Sequence, residues 1–191
     1  MLLPEAVLIN GQTGSVSPET GRYTKRLSEL RQIFQDRTAL ETIVSERDDP
    51  IVYEVIEYKK EGSDLFFGTT TMEPGTVGDE FFMTRGHFHK RRDMGEIYYT
   101  QSGHGILLLE ARDGQSEIVR MDPGVCAFIP PDWAHRSINT GGEKLIFVWA
   151  CNVEAGNDYG EILERGMRKL VIRRNGREEI IDNPRFAEQR R

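Results

Sequence analysis

Apolar and polar residues alternate in short runs through the middle of the chain, from residue 51 to residue 150. These runs are rich in β-branched and aromatic residues and are separated by turn sequences such as EPG, SGHG, RDG, DPG and NTGG, a combination typical of β-strands. The runs are IVYEVIEY (51–58), LFFGTTTM (65–72), EFFMTRGHFH (80–89), EIYYT (96–100), ILLLE (106–110), SEIVRM (116–121), VCAFI (125–129), HRSIN (135–139) and KLIFVWA (144–150). Many short strands at nearly regular spacing predict an all-β fold, a closed or two-sheet antiparallel barrel.

Before the first of these strands, the pattern predicts short peripheral elements. Residues 5–10 could form a first strand. Four apolar residues are spaced as one face of a short helix: Leu27, Leu30, Ile33 and Phe34. A second short helix is predicted to begin with Asp36 as its N-cap and to turn Leu40 and Ile43 inward. Neither helix is long enough to be a domain.

After the strands, the sequence predicts a helix and a hairpin. Asp158 and Glu161 are placed as the N-cap and N3 residues of a short helix that Gly166 would end. The pair Asn175-Gly176 between two strand-like runs predicts a type I′ hairpin. The tail is polar and is expected to fray.

These patterns divide the chain into three predicted parts. Residues 1–50 would supply a strand and short helices packed on the barrel. Residues 51–182 would form the barrel with its carboxy-terminal helix and hairpin, and residues 183–191 the polar tail. A chain of 191 residues fits one such domain with a short arm.

Composition narrows the class of protein. A hydrophobic fraction of 38% and a charged fraction of 29% are those of a soluble globular protein, and the net charge of −6 argues against nucleic-acid binding. No apolar run approaches the roughly 20 residues of a membrane helix, and the first residues do not resemble a signal peptide. Cys126 and Cys151 lie in strand-like runs and are interpreted as two buried thiols of a reducing compartment. We therefore expect a cytoplasmic protein without membrane or nucleic-acid partners.

Three of the four histidines lie in ordered contexts. His87 and His89 are two residues apart, so in a strand they point to the same face. Glu96 begins the next strand, and His135 follows the rigid corner PPDW. Three imidazoles and one carboxylate suit a borderline divalent ion, and four protein ligands leave an octahedral ion with two positions for water or substrate. The sequence thus predicts a catalytic metal site.

An alternating pair of histidines alone would be weak support, because such pairs occur by chance on polar strand faces. The combination of His87, His89, Glu96 and His135 with their Gly- and Pro-containing turns is far more specific. His104 lies in the turn SGHG and is interpreted as a solvated turn residue. Lys90, Arg91 and Arg92, beside the metal strands, are interpreted as a solvated turn rather than as anion-steering groups.

The same residues carry a resemblance to known proteins. GHFH followed by Glu96 and Gly103 resembles the first cupin motif, and PGVCAFIPPDWAHRSIN, with Gly124, Pro130, His135 and Asn139, resembles the second. Within that superfamily, TRGHFH, EIYY, PPDWAHRSIN and EAGNDYG together resemble the cupin-type phosphoglucose isomerases of archaea and some bacteria. The similarity runs from about residue 53 to residue 182 and implies a cupin barrel (double-stranded β-helix, or jelly roll) with short peripheral helices.

The resemblance also implies a function. It implies a homodimer that interconverts glucose 6-phosphate and fructose 6-phosphate, a step of glycolysis and gluconeogenesis, with one divalent metal per subunit. The metal implied is Fe²⁺, although Mn²⁺, Ni²⁺ or Zn²⁺ would suit the same ligands. Carried onto matching positions, the metal ligands are His87, His89, Glu96 and His135. The residues placed around the sugar phosphate are Tyr53, Thr70, Thr84, Gly86, Tyr98 and Tyr159.

Two positions depart from the resembled pattern. Asp132 stands where many cupins have glycine, at a turn. Asn157 stands in NDYG where the isomerases typically have HDYG. An asparagine cannot replace a histidine as an acid or base, so the chain could be slower or act on a related sugar. Without the resemblance, Tyr53 and Tyr159 would be interpreted as half-buried packing residues.

The sequence leaves the route of isomerisation open. In an enediol route a base moves a proton between C2 and C1, and Glu96 is the nearest candidate, with Tyr98 on the same face. A carboxylate bound to a dication is a poor base, and a hydride route would need none. Two rival functions also stay open: another metal-cupin enzyme such as a dioxygenase, and a non-catalytic cupin that binds sugar phosphates.

Overall fold

Antiparallel strands are the main elements of the computed structural model, which describes residues 2–188. The strands are β1 (Leu8–Ile9), β2 (Val16–Ser17), β3 (Gly21–Arg26), β4 (Ile51–Lys59), β5 (Leu65–Met72), β6 (Thr76–Val77), β7 (Glu80–Phe81), β8 (Phe88–His89), β9 (Glu96–Ser102), β10 (Gly105–Ala111), β11 (Ser116–Met121), β12 (Cys126–Ile129), β13 (Trp133–Asn139), β14 (Leu145–Asn152), β15 (Asn157–Asp158), β16 (Lys169–Arg174) and β17 (Arg177–Asp182). The helices are a 3₁₀ turn (Leu27–Leu30), α1 (Arg37–Glu46), α2 (Gly160–Arg165) and α3 (Pro184–Glu188).

Two antiparallel sheets enclose the core. The larger has six strands in the order β12-β9-β14-β5-β4-β3, and the other has the order β11-β10-β13. A single hydrophobic cluster joins side chains of both sheets, such as Phe147 and Met72 from the first and Leu107 and Ile138 from the second. A further sheet, β17-β16-β7-β6, extends the barrel. This two-sheet barrel with short helices at its periphery is the predicted cupin fold.

Alternation along β9 decides what faces the interior. Glu96, Tyr98 and Thr100 are buried, whereas Ile97 and Tyr99 between them are exposed. This is the period-two pattern of a strand with one face on the core. A carboxylate and a phenol therefore share the inner face of the barrel, as predicted.

The run 80–89, predicted as one strand, is a broken segment. Only β7 and β8 at its ends are strands, and between them isolated bridges join Met83 to Ile138 and His87 to His135. Gly86 has a φ of 76°, in the left-handed region where an extended strand cannot continue. The single-strand prediction was wrong because the alternation of apolar residues does not show that one residue of the run has a positive φ.

The peripheral helices follow their predicted caps in part. The Asp36 carboxylate accepts a hydrogen bond of 2.8 Å from the backbone N–H of Ala39 and caps α1, as predicted. The α2 helix has Tyr159, not Asp158, as its N-cap. Asp158 instead belongs to β15 and accepts a hydrogen bond of 3.1 Å from the Gly160 N–H. Gly166 ends this helix as expected.

The predicted helix over residues 27–34 is only a 3₁₀ turn. It stops at Leu30, yet all four of its predicted core side chains are buried: Leu27, Leu30, Ile33 and Phe34. Apolar spacing identified the buried face correctly, but not how far the helix extends. Strand β3, from the same amino-terminal region, pairs with β4 and completes the six-stranded sheet.

The carboxy-terminal hairpin is confirmed. Asn175 and Gly176 have φ values of 53° and 75°, as a type I′ turn requires, and β16 pairs with β17 around them. Of the predicted tail, α3 is helical, while residues 189–191 lie outside the described residues. The division of the chain into three parts stays a prediction.

Both cysteine thiols are free, but the predicted burial is wrong for one of them. Cys126 is exposed and Cys151 is half-buried. Cys126 lies on edge strand β12, where Ala127 and Ile129 take the inward positions. Among residues 2–188, no helix combines the length and the apolar character needed to cross a membrane.

Candidate metal centre

The backbone of the broken segment brings two of the predicted ligands together. His87 and His135 form an isolated antiparallel bridge, with their N–H groups donating to each other's carbonyls at 3.3 and 3.1 Å. His89 ends β8, and Glu96 begins β9 after a turn of six residues. Separate stretches of chain therefore deliver all four side chains to the same inner face.

The four predicted ligands form one group, which we call the His–Glu cluster: His87, His89, Glu96 and His135. Their candidate ligand atoms all lie within 4.8 Å of one another. The Glu96 Oε2 atom is 3.1 Å from the Nε2 atoms of both His89 and His135. Three of the four residues are buried and His87 is half-buried. Four groups at these separations can share one ion.

The hydrogen bonds behind the cluster indicate which nitrogen atoms are available. The Nδ1 atoms of His89 and His135 lie 2.9 and 3.2 Å from the carbonyls of Met94 and Trp133. A carbonyl only accepts, so each Nδ1 carries the proton and each Nε2 turns its lone pair inward. His135 Nε2 is buried and has no hydrogen-bond partner among the described residues. Lone pairs that converge on a carboxylate fit a divalent cation, and the backbone carbonyls fix the rings for it.

The charges in the cluster also fit a cation. Burial alone would raise the pKa of Glu96, but the adjacent imidazoles of His135 and His89 outweigh it and lower the pKa to about 2. Burial, together with His135, lowers the pKa of His87 well below its usual value. Burial also lowers the pKa of His89, but Glu96 beside it raises it overall. The ionised carboxylate of Glu96 therefore attracts positive charge to this point.

Tyr98 lies directly beside the cluster. Its ring stacks on Phe147 with centroids 4.7 Å apart and meets the His135 ring edge-on at 5.8 Å. Burial and the nearby Glu96 charge raise the pKa of Tyr98 well above its ordinary value. The phenol therefore stays protonated and can donate a hydrogen bond, but it cannot act as a base at neutral pH.

A cavity of about 780 Å³, including the solvent at its mouth, opens onto the cluster. The structure places all six predicted substrate residues in its wall: Tyr53, Thr70, Thr84, Gly86, Tyr98 and Tyr159. The predicted metal and substrate residues are thus brought into a single site.

Gly86 has a second reason to be glycine besides its backbone angle. A Cβ atom there would lie 3.0 Å from the Nε atom of buried Arg136. Arg136 in turn donates a hydrogen bond of 2.6 Å to the Arg85 carbonyl. Thr84 accepts a hydrogen bond of 3.0 Å from the Ser137 N–H. Strand β13 thus holds the 84–86 segment against the cavity.

Asn157 has a structural role that the sequence did not reveal. Its Nδ2 atom donates a hydrogen bond of 2.9 Å to the Tyr159 hydroxyl, and its backbone pairs with His89. The Tyr159 ring lies 5.5 Å from the His87 ring. Asn157 therefore orients a residue of the cavity wall without itself being an acid or a base.

Sequence reasoning missed several cavity residues. Those not among the predicted contacts include Tyr23, Glu57, Arg85, Trp149 and Cys151. For Arg85 a signal existed, because it stands between two predicted substrate residues, Thr84 and Gly86.

His104 is exposed and its Nδ1 atom lies 2.8 Å from the Asp122 carboxylate, in agreement with a solvated turn residue. Arg91 is paired with Asp93 and Glu154 outside the cavity.

Comparison with known proteins gives the family. The model of the family described as "Glucose-6-phosphate isomerase (GPI)" matches residues 24–185. Glucose-6-phosphate isomerase of Thermococcus gammatolerans is 45% identical over 186 residues, 96% of this chain and 97% of that protein. The Sinorhizobium medicae enzyme of the same name is 41% identical over 171 residues, 88% and 80% of the two chains.

Likeness to solved structures is more partial. A deletion mutant of Bacillus subtilis oxalate decarboxylase OxdC matches with a TM-score of 0.46 and 21% identity, over 56% of this chain and 27% of that one. The family model and the relatives each span most of the chain, and they confirm the resemblance found in the motifs. The chain belongs to the glucose-6-phosphate isomerase family.

Proposed function

We propose that this chain is a metal-dependent aldose–ketose isomerase that interconverts glucose 6-phosphate and fructose 6-phosphate, a step of glycolysis and gluconeogenesis. The observation that carries the proposal is the His–Glu cluster in the wall of a cavity that six predicted substrate residues also line. Membership of the isomerase family, with relatives aligned over nearly the full chain, supports the same activity.

The His–Glu cluster would hold one divalent metal per subunit, and we propose Fe²⁺. When bound, such an ion polarises the substrate oxygens on C1 and C2 and stabilises the negative charge that develops on them. Imidazole and carboxylate also suit Mn²⁺, Ni²⁺ and Zn²⁺, so ligand type alone does not select among them. Elemental analysis of the purified protein, followed by reconstitution with each ion, tests the choice. Highest activity with an ion other than Fe²⁺ would refute it.

Glu96 and Tyr98 are the proposed catalytic residues. Glu96 would accept the proton from C2 of the sugar and return it to C1, which an ionised carboxylate facing the cavity can do. Tyr98, with its phenol protonated, would donate a hydrogen bond to a sugar oxygen. Because Glu96 would also bind the metal, its basicity would be low, and proton transfer would require it to loosen from the ion.

The remaining cavity residues would bind the sugar phosphate. Hydroxyls of Thr70 and Thr84, and the backbone beside Gly86, offer neutral hydrogen bonds to an anion. Tyr53 and Tyr159 would cover the sugar with their rings and keep it out of bulk water. This lining is mixed polar and aromatic, as a site for a small phosphorylated sugar requires.

A coupled assay of fructose 6-phosphate conversion, with and without chelator, tests the function. We expect turnover that chelation abolishes and added metal restores. The same samples distinguish the rival functions. Oxygen consumption with a candidate substrate would indicate a dioxygenase, and tight binding of fructose 6-phosphate without turnover in metal-loaded protein would indicate a binding protein.

We also propose a homodimer. Exposed apolar side chains lie together on the outer face of β9 and β12, where Ile97 pairs with Phe128 and Tyr99 with Cys126. Phe128 is 65% exposed, a poor environment for an aromatic ring in an isolated chain. A second copy of this chain would cover them. Light scattering should give twice the chain mass of 21.9 kDa, and a monomer at assay concentration would refute the proposal.

For location and other partners, we propose a cytoplasmic enzyme that binds neither nucleic acid nor membranes. Free thiols at Cys126 and Cys151 are compatible with a reducing compartment. The net charge of −6 disfavours contact with nucleic acid. Recovery of the activity in the membrane fraction after cell lysis would contradict this proposal.

A further inference from the structure

An arginine side chain, that of Arg85, lines the cavity. Within residues 2–188, Arg85 is the single lysine or arginine in its wall, which also contains the carboxylates of Glu57 and Glu96. Burial raises the pKa of the Tyr53 hydroxyl, and the positive charge of Arg85 opposes that rise. The charge of half-buried Arg85 therefore acts on a group inside the cavity.

The structure holds Arg85 from three sides. Its Nη2 atom donates a hydrogen bond of 3.2 Å to the Glu29 carbonyl, and its guanidinium carbon lies 5.3 Å from the centre of the Tyr159 ring. Its own carbonyl accepts the 2.6 Å hydrogen bond from buried Arg136. Such contacts reduce the entropy lost when a ligand binds the guanidinium.

Arg85 keeps donors for a ligand. A guanidinium has five N–H donors. Among the described residues, the Arg85 side chain uses one of them, in its hydrogen bond to the Glu29 carbonyl. His87 of the His–Glu cluster lies two residues further along the chain, so its Cα atom is at most about 7 Å from the Cα atom of Arg85. A sugar phosphate with its C1–C2 end at the cluster can therefore direct its other end towards Arg85.

We propose that Arg85 binds the phosphate group of the substrate and sets the selectivity of the site for phosphorylated over unphosphorylated sugars. The inference rests on the proposed function and deepens it. A planar guanidinium matches a phosphate group through paired hydrogen bonds, which neutral hydroxyls of Thr70 and Thr84 cannot supply. With a divalent ion bound, the negative charges of Glu57 and Glu96 would balance the charge of the ion. The positive charge of Arg85 would then be the excess charge that attracts a phosphate dianion.

The test compares three variants: Arg85→Gln, Arg85→Lys and the control Arg91→Gln. Arg91 is a neighbouring surface arginine outside the cavity, so its loss removes the same charge without touching the site. Loss of a charge-assisted contact should raise the KM for fructose 6-phosphate about 10- to 100-fold in Arg85→Gln. We expect kcat and metal content to stay near wild type, Arg85→Lys to be intermediate and Arg91→Gln to be unchanged.

A second measurement separates phosphate binding from a structural role. Inorganic phosphate, titrated against the fluorescence of the cavity residue Trp149, needs no turnover. Its affinity should fall about as much as 1/KM in Arg85→Gln, with the melting temperature retained. Unchanged phosphate affinity in Arg85→Gln would overturn the proposal, and so would equal losses in Arg85→Gln and Arg91→Gln.

The outcomes also distinguish this proposal from the proposed function. If wild-type protein loaded with metal does not convert fructose 6-phosphate, the proposed function fails, and the phosphate titration still decides the role of Arg85. If wild type is active and Arg85→Gln has an unchanged KM, the role of Arg85 fails alone. Should Arg85→Gln not fold, the same comparisons are made with Arg85→Lys, where unchanged KM and unchanged phosphate affinity would overturn the proposal.

Discussion

Glu96 and His135 meet inside the barrel with the Glu96 Oε2 atom 3.1 Å from the His135 Nε2 atom, and that nitrogen has no hydrogen-bond partner among the described residues. The Nδ1 atom of the same ring faces the Trp133 carbonyl, so Nε2 presents a lone pair to a carboxylate. Two acceptors facing each other in a buried space are unfavourable unless a cation joins them. This contact is the physical basis of the metal site.

Removing the charge of Glu96 should release the metal. In Glu96→Gln the amide keeps the shape of the side chain but loses the negative charge that His89 and His135 face. We expect metal content and isomerase activity to fall together, each at least about tenfold, as loss of a charged ligand implies. Elemental analysis of the purified variant checks this. Full metal content with lost activity would show that Glu96 is a base but not a ligand.

The origin of the transferred hydrogen tests the role of Glu96 as base. In the enediol route the proton rests on the carboxylate, where it can exchange with solvent before it returns to carbon. Isomerisation in heavy water should therefore place some deuterium on the C1 and C2 carbons of the products, measurable by NMR. Complete absence of solvent deuterium after many turnovers would favour the hydride route instead.

Acid should remove the metal before it unfolds the protein. Imidazoles bind metal only when neutral, so protons compete with the ion as pH falls. The pKa of His87 is lowered by burial and that of Glu96 is about 2, so neither is protonated early. The pKa of His89 is raised by Glu96, so His89 takes up a proton before His87 and Glu96 do on acidification.

We therefore expect metal content and activity to be constant near pH 7 and to decline below about pH 6. Measuring both on samples equilibrated with excess metal at each pH checks the prediction, with circular dichroism as the control for unfolding. Activity that stays flat to pH 5 with metal supplied would count against histidine ligation.

Asn157 should act on substrate binding through Tyr159. Asn157→Ala removes the 2.9 Å hydrogen bond to the Tyr159 hydroxyl, and the freed ring should raise the KM about fivefold, the worth of one ordinary hydrogen bond. Asn157→His retains an N–H donor and should keep the KM within about twofold of wild type. Steady-state kinetics of both variants check this. An unchanged KM in Asn157→Ala would show that substrate binding does not depend on the hydrogen bond between Asn157 and Tyr159.

Asn139 should be a stability residue with no part in the chemistry. It is fully buried, donates to the carbonyls of Met72 and Glu143 at 3.1 and 2.8 Å, and accepts from the Gly141 N–H at 3.0 Å. Asn139→Ala leaves one buried and two part-buried backbone groups without their hydrogen-bond partner, so the free energy of unfolding should fall by about 2 kcal/mol. Denaturant unfolding measures it. The exposed turn variant Asn175→Gly is the control, expected within about 0.5 kcal/mol of wild type.

Most of the site could be predicted from the sequence because its chemistry is carried by rare residues at fixed spacings. Metal ligation needs imidazoles and a carboxylate, and the chain has only four histidines, so His87, His89 and His135 were easily singled out. Arg85 was missed because a single arginine is common, and its position between Thr84 and Gly86 was its one signal in the sequence. Its role depends on Tyr159 and Glu29, which are brought to it only by tertiary structure.

The fold was predicted well where side-chain alternation follows the two faces of a strand, as in β5, whose bounds match the predicted run 65–72. It was predicted poorly where the backbone departs from regular geometry. The positive φ of Gly86 interrupts the strand predicted over residues 80–89, and nothing in the apolar pattern predicts this angle. Asp132 shows the converse case: its φ of 62° explains why related turns have glycine at this position.

Activity regained on adding metal to chelated protein tests the central claim most directly. Protein stripped of metal and assayed with fructose 6-phosphate should be inactive, and activity should rise linearly with added Fe²⁺ and saturate at one equivalent per chain. His135→Ala should not be restored at that ratio, because it lacks one imidazole of the cluster. Full activity in the stripped protein, or full recovery of His135→Ala at one equivalent, would contradict a catalytic metal held by these four residues.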